Sequence, residues 1–459
     1  MKIRIFTALA FSLAMVGLTL GEANPASVVK SALVKAGRVL DVKSGQYLLN
    51  QGILIEGGII RKIGALDTFL GGVPDNTVVI DLSHATILPG LIDCHAHLLD
   101  AMDPTINGAD ELTLTITKFA PTKRVLLGAA MAREELEGGF TTVRVVGHSG
   151  IDGDVSLRDA IRNGWVPGPR IVASARKITP YGGQAQVMPF QSGVAQAIVD
   201  QEYLPVSNPE EGRRAVLENL RVGADLIKVV VDEGARVLND ETMKAIVTEA
   251  HRVGVRVAAH ATSPSGIQVA IDAGVDSIEH ADEASAEQFQ TMRDKGIYLV
   301  PTLWPRDMLV VARSTTNPPP GTRPDPEATK DQIVAEQRAK LDLARKVGVK
   351  MAFGSDEWYA WPDKTRGQAT RRLLEALQTY GMPPADALRA ATVNAADLLN
   401  IGHLLGSLEP GKYADLIALE GDPLTNLVDL EKVRYVMKGG VVVRDDFHPV
   451  SNRKTDSGR

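Results

Sequence analysis

Eight short apolar runs separated by helix-like stretches constrain the fold of this chain more than any other feature. Continuously apolar runs are typical of parallel strands that are buried on both faces. Eight strand–helix units in about 320 residues predict an α/β fold, specifically a (β/α)8 TIM barrel. We place the strands at Thr86–Cys94, Thr141–Val146, Arg170–Ser174, Leu226–Val231, Arg256–His260, Ser277–His280, Tyr298–Thr302 and Val349–Gly354. Helical periodicity predicts helices at Lys123–Glu137, Glu210–Arg221, Asp240–Val253, Ser265–Ala273, Ala284–Lys295, Asp331–Lys346, Leu373–Tyr380 and Ala385–Leu399.

Both ends of the chain have a different pattern. Residues 24–86 and 404–459 contain short strands broken by turn signals such as Gly57-Gly58 and Gly439-Gly440. Because the two segments share this character, we expect them to pair into one small composite β-sandwich domain. The barrel would then occupy residues 87–403.

The first 23 residues have the pattern of a signal peptide. Lys2 and Arg4 precede an apolar run, and Gly21-Glu22-Ala23 is an acceptable cleavage site. The run is too short for a convincing transmembrane helix, although an uncleaved anchor is the alternative. We therefore expect a periplasmic or secreted protein without stable membrane insertion.

Composition excludes two classes of function. The 459 residues carry a formal net charge of −6, which provides no basic field for nucleic acid. One cysteine, Cys94, excludes internal disulfides and a multi-cysteine zinc site. Its position inside an apolar run favours a small buried residue over a nucleophile.

Metal-ligand residue types stand at the ends of the predicted strands, where barrel enzymes place their functional groups. Alternate residues of a strand face the same side, so two histidines spaced by one residue can reach one ion. Histidine and aspartate are good ligands for zinc and similar ions. Because six candidates exceed the needs of one tetrahedral ion, the pattern favours two metals. The candidates are His95, His97, Lys228, His260, His280 and Asp356.

Each candidate has an ordinary alternative. A single histidine in an apolar strand is more often a hydrogen-bonded core residue. Lys228 alone would more often pair with an acid such as Asp232 or Glu233, and Asp356 alone would cap a helix. The joint placement of four histidines at one end of the barrel favours the metal site.

Several motifs together resemble the amidohydrolase superfamily. The segment Ala224–Val229, which contains Lys228, is similar to the branch with Xaa-Pro and Xaa-Arg dipeptidases and ochratoxin-type amidohydrolases. The matching motifs are Leu33–Asp41, Leu88–His97, Ile278-Glu279-His280, Gly354-Ser355-Asp356, Ala391–Ala396 and Gly406–Leu416.

The resemblance implies two zinc ions per subunit and a specific division of ligands. His95, His97 and Asp356 would hold one ion, and His260 and His280 the other. Lys228 would be N-carboxylated by carbon dioxide and bridge the two ions. A hydroxide that also bridges them would attack an amide or peptide bond, with Asp356 as catalytic proton shuttle.

The expected substrate is a small molecule, either a dipeptide or an N-acyl amino acid, with an ochratoxin-like amide included. His148 resembles a substrate-binding histidine of this branch, although a turn-capping loop residue is the alternative. Thr262 and Gln184 stand where relatives often have tyrosine and histidine, so both depart from the pattern of a dipeptidase. Trp358, in the aromatic loop Glu357–Trp361, would either line an apolar pocket or pack on the barrel rim.

Three other functions stay open from the sequence. A cyclic-amide hydrolase of the imidazolonepropionase type would bind one metal and leave Lys228 unmodified. A lactonase or phosphotriesterase-like activity uses similar metal chemistry, and a non-catalytic binding protein would retain the fold without turnover. We also expect a homo-oligomer, for which the loop Asn317–Gly321 is a candidate contact or lid.

Overall fold

The computed structural model describes residues 30–69, 72–105, 115–184, 191–233, 236–310 and 326–448. The signal peptide predicted for residues 1–23 and the loop Asn317–Gly321 lie outside these ranges. Within them, no helix is both long enough and apolar enough to cross a bilayer.

The described strands are numbered here in chain order. They are β1 (Ser31–Asp41), β2 (Gln46–Glu56), β3 (Ile59–Ala65), β4 (Val78–Pro89), β5 (Leu91–Ala96), β6 (Phe140–Val145), β7 (Arg170–Ala173), β8 (Lys177–Pro180), β9 (Tyr203–Val206), β10 (Leu226–Val230), β11 (Asp232–Glu233), β12 (Arg236–Val237), β13 (Arg256–Ala261), β14 (Ser277–His280), β15 (Tyr298–Val300), β16 (Leu416–Leu419), β17 (Val433–Lys438) and β18 (Val441–Asp445).

The described α-helices are numbered in the same way. They are α1 (Pro121–Glu137), α2 (Gly153–Arg162), α3 (Ser192–Glu202), α4 (Pro209–Val222), α5 (Asp240–Arg252), α6 (Pro264–Ala273), α7 (Ala286–Lys295), α8 (Pro326–Val347), α9 (Arg366–Thr379), α10 (Pro384–Ala390) and α11 (Val393–Leu398). Short 3-10 helices occupy Leu66–Phe69, Arg306–Met308 and Leu427–Lys432.

Local chemistry sets several helix starts. Ser285 and Gln288 form a reciprocal capping box at α7, and Thr365 and Gln368 form another at α9. In each, the hydroxyl and the amide satisfy backbone N–H groups that the first helical turn leaves unpaired.

Strands from both chain ends form one mixed seven-stranded sheet in the order β18-β17-β16-β4-β1-β2-β3. The two ends meet where β16 runs antiparallel to β4, with Leu416 opposite Pro89 and Leu419 opposite Thr86. The structure therefore joins both ends in one β unit, as the sequence indicates. The described ladders form a single sheet, and its arrangement as a sandwich stays a prediction.

The middle of the chain contains two parallel sheets with the orders β5-β6-β7 and β15-β14-β13-β10-β8-β9. Backbone hydrogen bonds connect them at both sides. On one side, Asp225 N donates to Ala173 O at 2.7 Å. On the other side the link runs through residues 352 and 353: Cys94 N donates to Phe353 O at 2.8 Å, and Ala352 N donates to Leu299 O at 3.0 Å. The α/β class is as predicted, whereas the described ladders do not close into one eight-stranded sheet.

Two predicted strands need correction. The apolar run Thr86–Cys94 is divided between β4, which pairs with β16, and β5, which pairs with β6. The break lies at Pro89-Gly90, a turn signal that the prediction of a single strand did not use. The segment Val349–Gly354 is not a strand in the structure and makes one parallel bridge, between Met351 and Leu299.

The side chains of the parallel strands divide between two cores. Ile227, Val229 and Val257 face the helices in the larger core. Alternate residues face an inner cluster, to which the strands contribute Ile92, Cys94, Val172, Leu226, Ala258, Tyr298 and Val300. Val146, directly after β6, and Ala352 also belong to this cluster. Cys94 is completely buried there, as its apolar surroundings indicate.

Candidate metal centre

Strand periodicity directs two of the candidate ligands towards the inner cluster. Lys228 stands two residues after Leu226 on β10, and His260 stands two residues after Ala258 on β13. Because residues i and i+2 face the same side of a strand, both side chains lie above the apolar floor that Leu226 and Ala258 form. The pairing of β10 with β13 places the two strands side by side.

Asp356 lies against His95 on β5 and against His97 directly after it. Its Oδ1 is 3.3 Å from His95 Nε2 and 3.1 Å from His97 Nε2. The backbone contributes to this arrangement, because Asp356 N donates to the carbonyl of His95 at 2.7 Å. Strand β5 with the residue after it and the segment after residue 354 therefore bring three potential ligands together.

The hydrogen bonds of these histidines determine which ring nitrogen carries the proton. His97 Nδ1 lies 3.0 Å from the carbonyl oxygen of Gly147, and His95 Nδ1 lies 2.8 Å from a Glu279 carboxylate oxygen. Both partners are acceptors, so both Nδ1 atoms carry the proton and both Nε2 lone pairs face Asp356. Burial lowers the pKa of His97 to about 4, so no proton at neutral pH separates its lone pair from the carboxylate. A cation between them would satisfy all three groups.

His280 and His260 extend the cluster. A ligand atom from each of His95, His280 and Asp356 lies within 4.8 Å of the other two, and the ring centroids of His260 and His280 are 4.5 Å apart. His280 Nδ1 is 2.7 Å from the Thr302 hydroxyl, which orients the ring. Burial lowers the pKa of His280 to about 3, so this imidazole is neutral and able to ligate at neutral pH.

Lys228 is buried without a hydrogen-bond partner for its Nζ among the described residues. Its side chain is 2% exposed. Burial lowers the pKa of Lys228 to about 8, which increases the fraction of nucleophilic neutral amine at neutral pH. An unpartnered buried polar atom needs an explanation, and a carboxylated lysine that ligates metal would provide one.

Three residues that sequence analysis did not single out hold the ligands in place. Asp93 accepts hydrogen bonds from the backbone N–H groups of His95 and Ser355, so it links β5 to the segment before Asp356. Glu279 accepts from His95 and pairs with Arg144 at 2.7 Å. Burial would raise the pKa of Glu279, but Arg144 and His95 hold it well below its usual range, so it is an anion. Such carboxylate–histidine contacts orient metal ligands in proteins.

Backbone strain is concentrated at this site. A non-glycine residue with positive φ costs about 1–3 kcal/mol and often marks a functional position. Nine described residues have this conformation, and six of them lie at the candidate site or in its loops. These six are His148, Gln184, His280, Ala281, Thr302 and Asp356.

The four substrate-binding candidates occupy different positions. Trp358 stacks on the His97 ring with centroids 5.7 Å apart, and His148 lies 5.0 Å from the same ring. Gln184 is further from the His97 ring. Its side-chain oxygen accepts from Lys177 Nζ at 2.8 Å, and Lys177 in turn contacts His148. Thr262 instead belongs to a network around Asp232, which accepts its backbone N–H at 3.0 Å.

The aromatic loop after Asp356 has one ring that faces the candidate site and two that pack against the protein, so pocket lining and packing, the two alternatives from the sequence, both occur. Trp358 faces the histidines, whereas Tyr359 is 8% exposed and packs in a small core with Met102 and Tyr203. Trp361 donates from Nε1 to Glu357 at 3.0 Å. One ring is therefore available to a ligand, and the other two hold the loop.

A cavity of about 520 Å³ opens beside the cluster, within the size range of small-molecule sites. His280, Asp356, Thr302 and Trp304 form its inner wall, and Asp282, Glu283, Ile333, Glu336, Gln337 and Lys340 complete the lining. A small molecule in this cavity would have Asp356 and His280 beside it.

Comparison with known proteins identifies the relatives of this chain. The model of the amidohydrolase family matches residues 86–443. The chain belongs to the amidohydrolase family. Because the match begins within β4 and ends within β18, this amidohydrolase includes part of the seven-stranded sheet as well as both parallel sheets in the family domain.

Individual relatives are similar along most of the chain. Ochratoxinase from Aspergillus niger is 30% identical, over 90% of this amidohydrolase and 86% of that protein. An imidazolonepropionase from Erwinia tasmaniensis is 24% identical, over 83% of this amidohydrolase and 89% of that protein. The crystal structure of a Xaa-Pro dipeptidase with bound methionine in the active site is 32% identical in sequence and has a TM-score of 0.76. The match covers 90% of this amidohydrolase and 100% of the dipeptidase chain.

Proposed function

We propose that this amidohydrolase binds two divalent metal ions, most simply zinc, and hydrolyses the amide bond of a dipeptide or N-acyl amino acid. The observation that carries the proposal is the convergence of two imidazole lone pairs and one carboxylate beside an unpartnered buried lysine. A purely structural cluster would be expected to pair these groups with each other.

The proposed ligand sets are those that the resemblance to the dipeptidase branch implies. His95, His97 and Asp356 would hold one ion, His260 and His280 the other, and carboxylated Lys228 would bridge them. A free ammonium has no acceptor atom, whereas a carbamate provides two oxygens. When bound, the ions would polarise the scissile carbonyl and lower the pKa of water to near neutral.

Asp356 is the proposed proton carrier. Burial alone would raise the pKa of its carboxyl, and a cation held beside it would keep the carboxyl ionised at neutral pH. The resulting carboxylate can accept a proton from the attacking water and deliver it to the leaving nitrogen. Its position on the wall of the cavity gives it access to both.

The similar proteins support an amide as substrate. Two of them are named for an ochratoxin-directed activity and for cleavage of Xaa-Pro dipeptides. The imidazolonepropionase relative supports a cyclic amide as the second candidate, with one metal and an unmodified Lys228. The unpartnered Nζ of Lys228 favours the first.

The proposal also covers the organisation of the chain. Residues 1–23 would direct export to the periplasm or the medium, residues 87–403 would form the (β/α)8 barrel, and residues 24–86 with 404–459 would form the sandwich. The expected assembly of the protein as a homo-oligomer stays a prediction that sedimentation would test.

The test is hydrolysis of a panel of dipeptides and N-acyl amino acids by purified zinc-loaded protein, with cyclic amides, lactones and phosphotriesters beside them. We expect release of free amino acids. Turnover restricted to cyclic amides would support the second candidate. Turnover restricted to esters, or no turnover by a metal-loaded folded protein, would contradict the proposal.

A further inference from the structure

Lys177 is a buried lysine beside the candidate metal centre that the proposed mechanism does not use. It begins the four-residue strand β8 and is 3% exposed. Its Nζ lies 2.7 Å from His148 Nε2 and 2.8 Å from Gln184 Oε1. The ring of Tyr203 lies beneath the amine, 4.7 Å from its centroid.

The direct polar partners of Lys177 are neutral, which is unusual for a buried cation. A lysine amine donates hydrogen bonds, so His148 accepts through Nε2 at 2.7 Å. The carboxylates nearby contact other groups. Asp100 and Glu202 bind Arg124, and Glu233 bonds to the side chain of Gln184. The second oxygen of Asp100 lies 3.7 Å from His148 Nδ1, on the side of the ring away from Lys177. Burial lowers the pKa of the Lys177 amine to about 7, and an anion bound beside the amine would favour its charged form.

The fold makes specific room for this lysine. Gly147 follows strand β6 with a φ of +107°, and a Cβ at that position would lie 2.5 Å from Lys177 Cγ. Only glycine therefore allows the lysine stem to pass along the loop that carries His148. The loop itself is held by Arg124, which donates to the His148 carbonyl at 2.6 Å.

The other buried cations that the structure describes around the site are already paired. Lys340 Nζ bonds to Asp282 at 2.7 Å and to the His280 carbonyl at 2.9 Å. Arg366 lies 3.8 Å from Glu357, and Arg144 pairs with Glu279. Lys228 belongs to the proposed metal bridge. Lys177 is the remaining candidate for recognition of a negative charge.

We propose that Lys177, with His148 and Gln184 beside it, binds the carboxylate of the substrate's leaving amino acid. This inference rests on the proposed amide substrates. In an amino acid, one carbon separates the carboxylate from the amide nitrogen, so the carboxylate must be bound close to the scissile bond. Lys177 meets this requirement through His148. The His148 ring binds the Lys177 amine and also packs against the His97 ring, with the two ring centroids 5.0 Å apart.

The test measures binding without turnover. L-Methionine, L-phenylalanine and L-proline are titrated into the zinc-loaded protein by calorimetry, each beside its carboxamide. We expect the acids to bind roughly 10- to 100-fold more tightly than the amides, because a charge-assisted hydrogen bond contributes about 1.5–3 kcal/mol. Equal affinity of the acid and amide forms for the unaltered protein would overturn the inference.

Two variants locate the effect. Lys177→Met keeps the apolar stem and should abolish the preference for acids, whereas the exposed control Lys244→Met should retain it. Gln184→Glu places a carboxylate beside Lys177 and should weaken acid binding even if Lys177→Met fails to fold. Retention of the preference in folded Lys177→Met would overturn the inference. An acid preference without hydrolysis of any amide would sustain it while contradicting the proposed function.

Discussion

The proton positions on two imidazole rings determine what this site can hold. The Gly147 carbonyl and the Glu279 carboxylate are acceptors, so they fix the protons of His97 and His95 on Nδ1. Both Nε2 lone pairs are thereby directed towards Asp356. The preference for a cation thus arises from groups behind the ligands as much as from the ligands.

Substitution of Asp356 separates its two proposed roles. Asp356→Asn retains a neutral oxygen ligand but loses the ability to carry a proton. We expect part of the metal to remain and turnover to fall by about 100-fold or more. The exposed control Asp331→Asn should leave both unchanged. Metal analysis and amide hydrolysis on the same samples provide the measurement, and near-normal turnover of metal-loaded Asp356→Asn would exclude the proton role.

Glu279 provides a test of ligand orientation. Glu279→Gln removes the anion that accepts from His95 and balances Arg144, so zinc affinity should fall about 10- to 100-fold. Competition with a chromogenic chelator measures the affinity, and Glu210→Gln, at a side chain that is 81% exposed, is the control. Unchanged affinity in a folded variant would show that Glu279 does not orient the ligand.

The proposed metal ligands were recognisable from sequence because the four histidines and Asp356 stand at or just after the ends of apolar runs, and Lys228 lies inside another. Lys177 was not, because β8 is only four residues long and follows Ala175, whose φ of +58° redirects the chain after β7. Asp93 and Glu279 are single acids inside apolar strands, and their partners are far away in the chain. Their roles depend on tertiary contacts that no local pattern contains.

At the scale of elements, the agreement between sequence and structure depends on local signals. Strand β14 has the predicted bounds, Ser277–His280, because Gly274 ends the preceding helix in the left-handed conformation. The predicted helix Ala385–Leu399 is instead divided into α10 and α11 at Thr392, whose φ and ψ of −137° and −96° are not helical. The hydrophobic pattern continues across this break, so the break is not visible in the sequence.

The contact between α1 and α9 predicts a pH effect on stability. Glu135 on α1 is 1% exposed and accepts from Thr370 on α9 at 2.9 Å. Burial raises its pKa from 4.5 to about 8. Between these values the unfolded chain releases a proton that the folded protein retains, so this group's contribution to stability is lost as pH rises from about 4.5 to 8.

Removal of that titration should stabilise the protein at high pH. We expect Glu135→Gln to increase the free energy of unfolding relative to the unaltered protein by roughly 1–3 kcal/mol more at pH 8 than at pH 5. Denaturant melts at both pH values provide the measurement. Glu137→Gln, on the same helix and partly exposed, should show no such difference. An equal effect of Glu135→Gln at both pH values would show that Glu135 titrates normally.

For the whole molecule, the proposed ligands belong to different sheets. His95 and His97 are on or directly after β5 in the three-stranded sheet, whereas Lys228, His260 and His280 are on strands of the six-stranded sheet. Asp356 follows the segment that hydrogen-bonds to both sides. Bound metal would therefore connect sheets that the described backbone joins by few hydrogen bonds.

Metal removal should consequently reduce the stability of the whole fold. A ligand at 1,000 times its Kd contributes about 4 kcal/mol, so chelation should lower Tm by about 5 °C or more. Calorimetry before and after dialysis against a chelator measures the shift, with the same chelator saturated with zinc as control. Restoration of Tm by added zinc is expected, and an unchanged Tm in protein shown to be metal-free would contradict this role.

The central claim is that two ions share one carboxylated lysine, and zinc anomalous diffraction from crystals of the zinc-loaded protein tests it most directly. We predict two anomalous peaks, one beside His95, His97 and Asp356 and the other beside His260 and His280, with continuous density from Lys228 Nζ between them. A single peak beside an unmodified Lys228 would contradict the account.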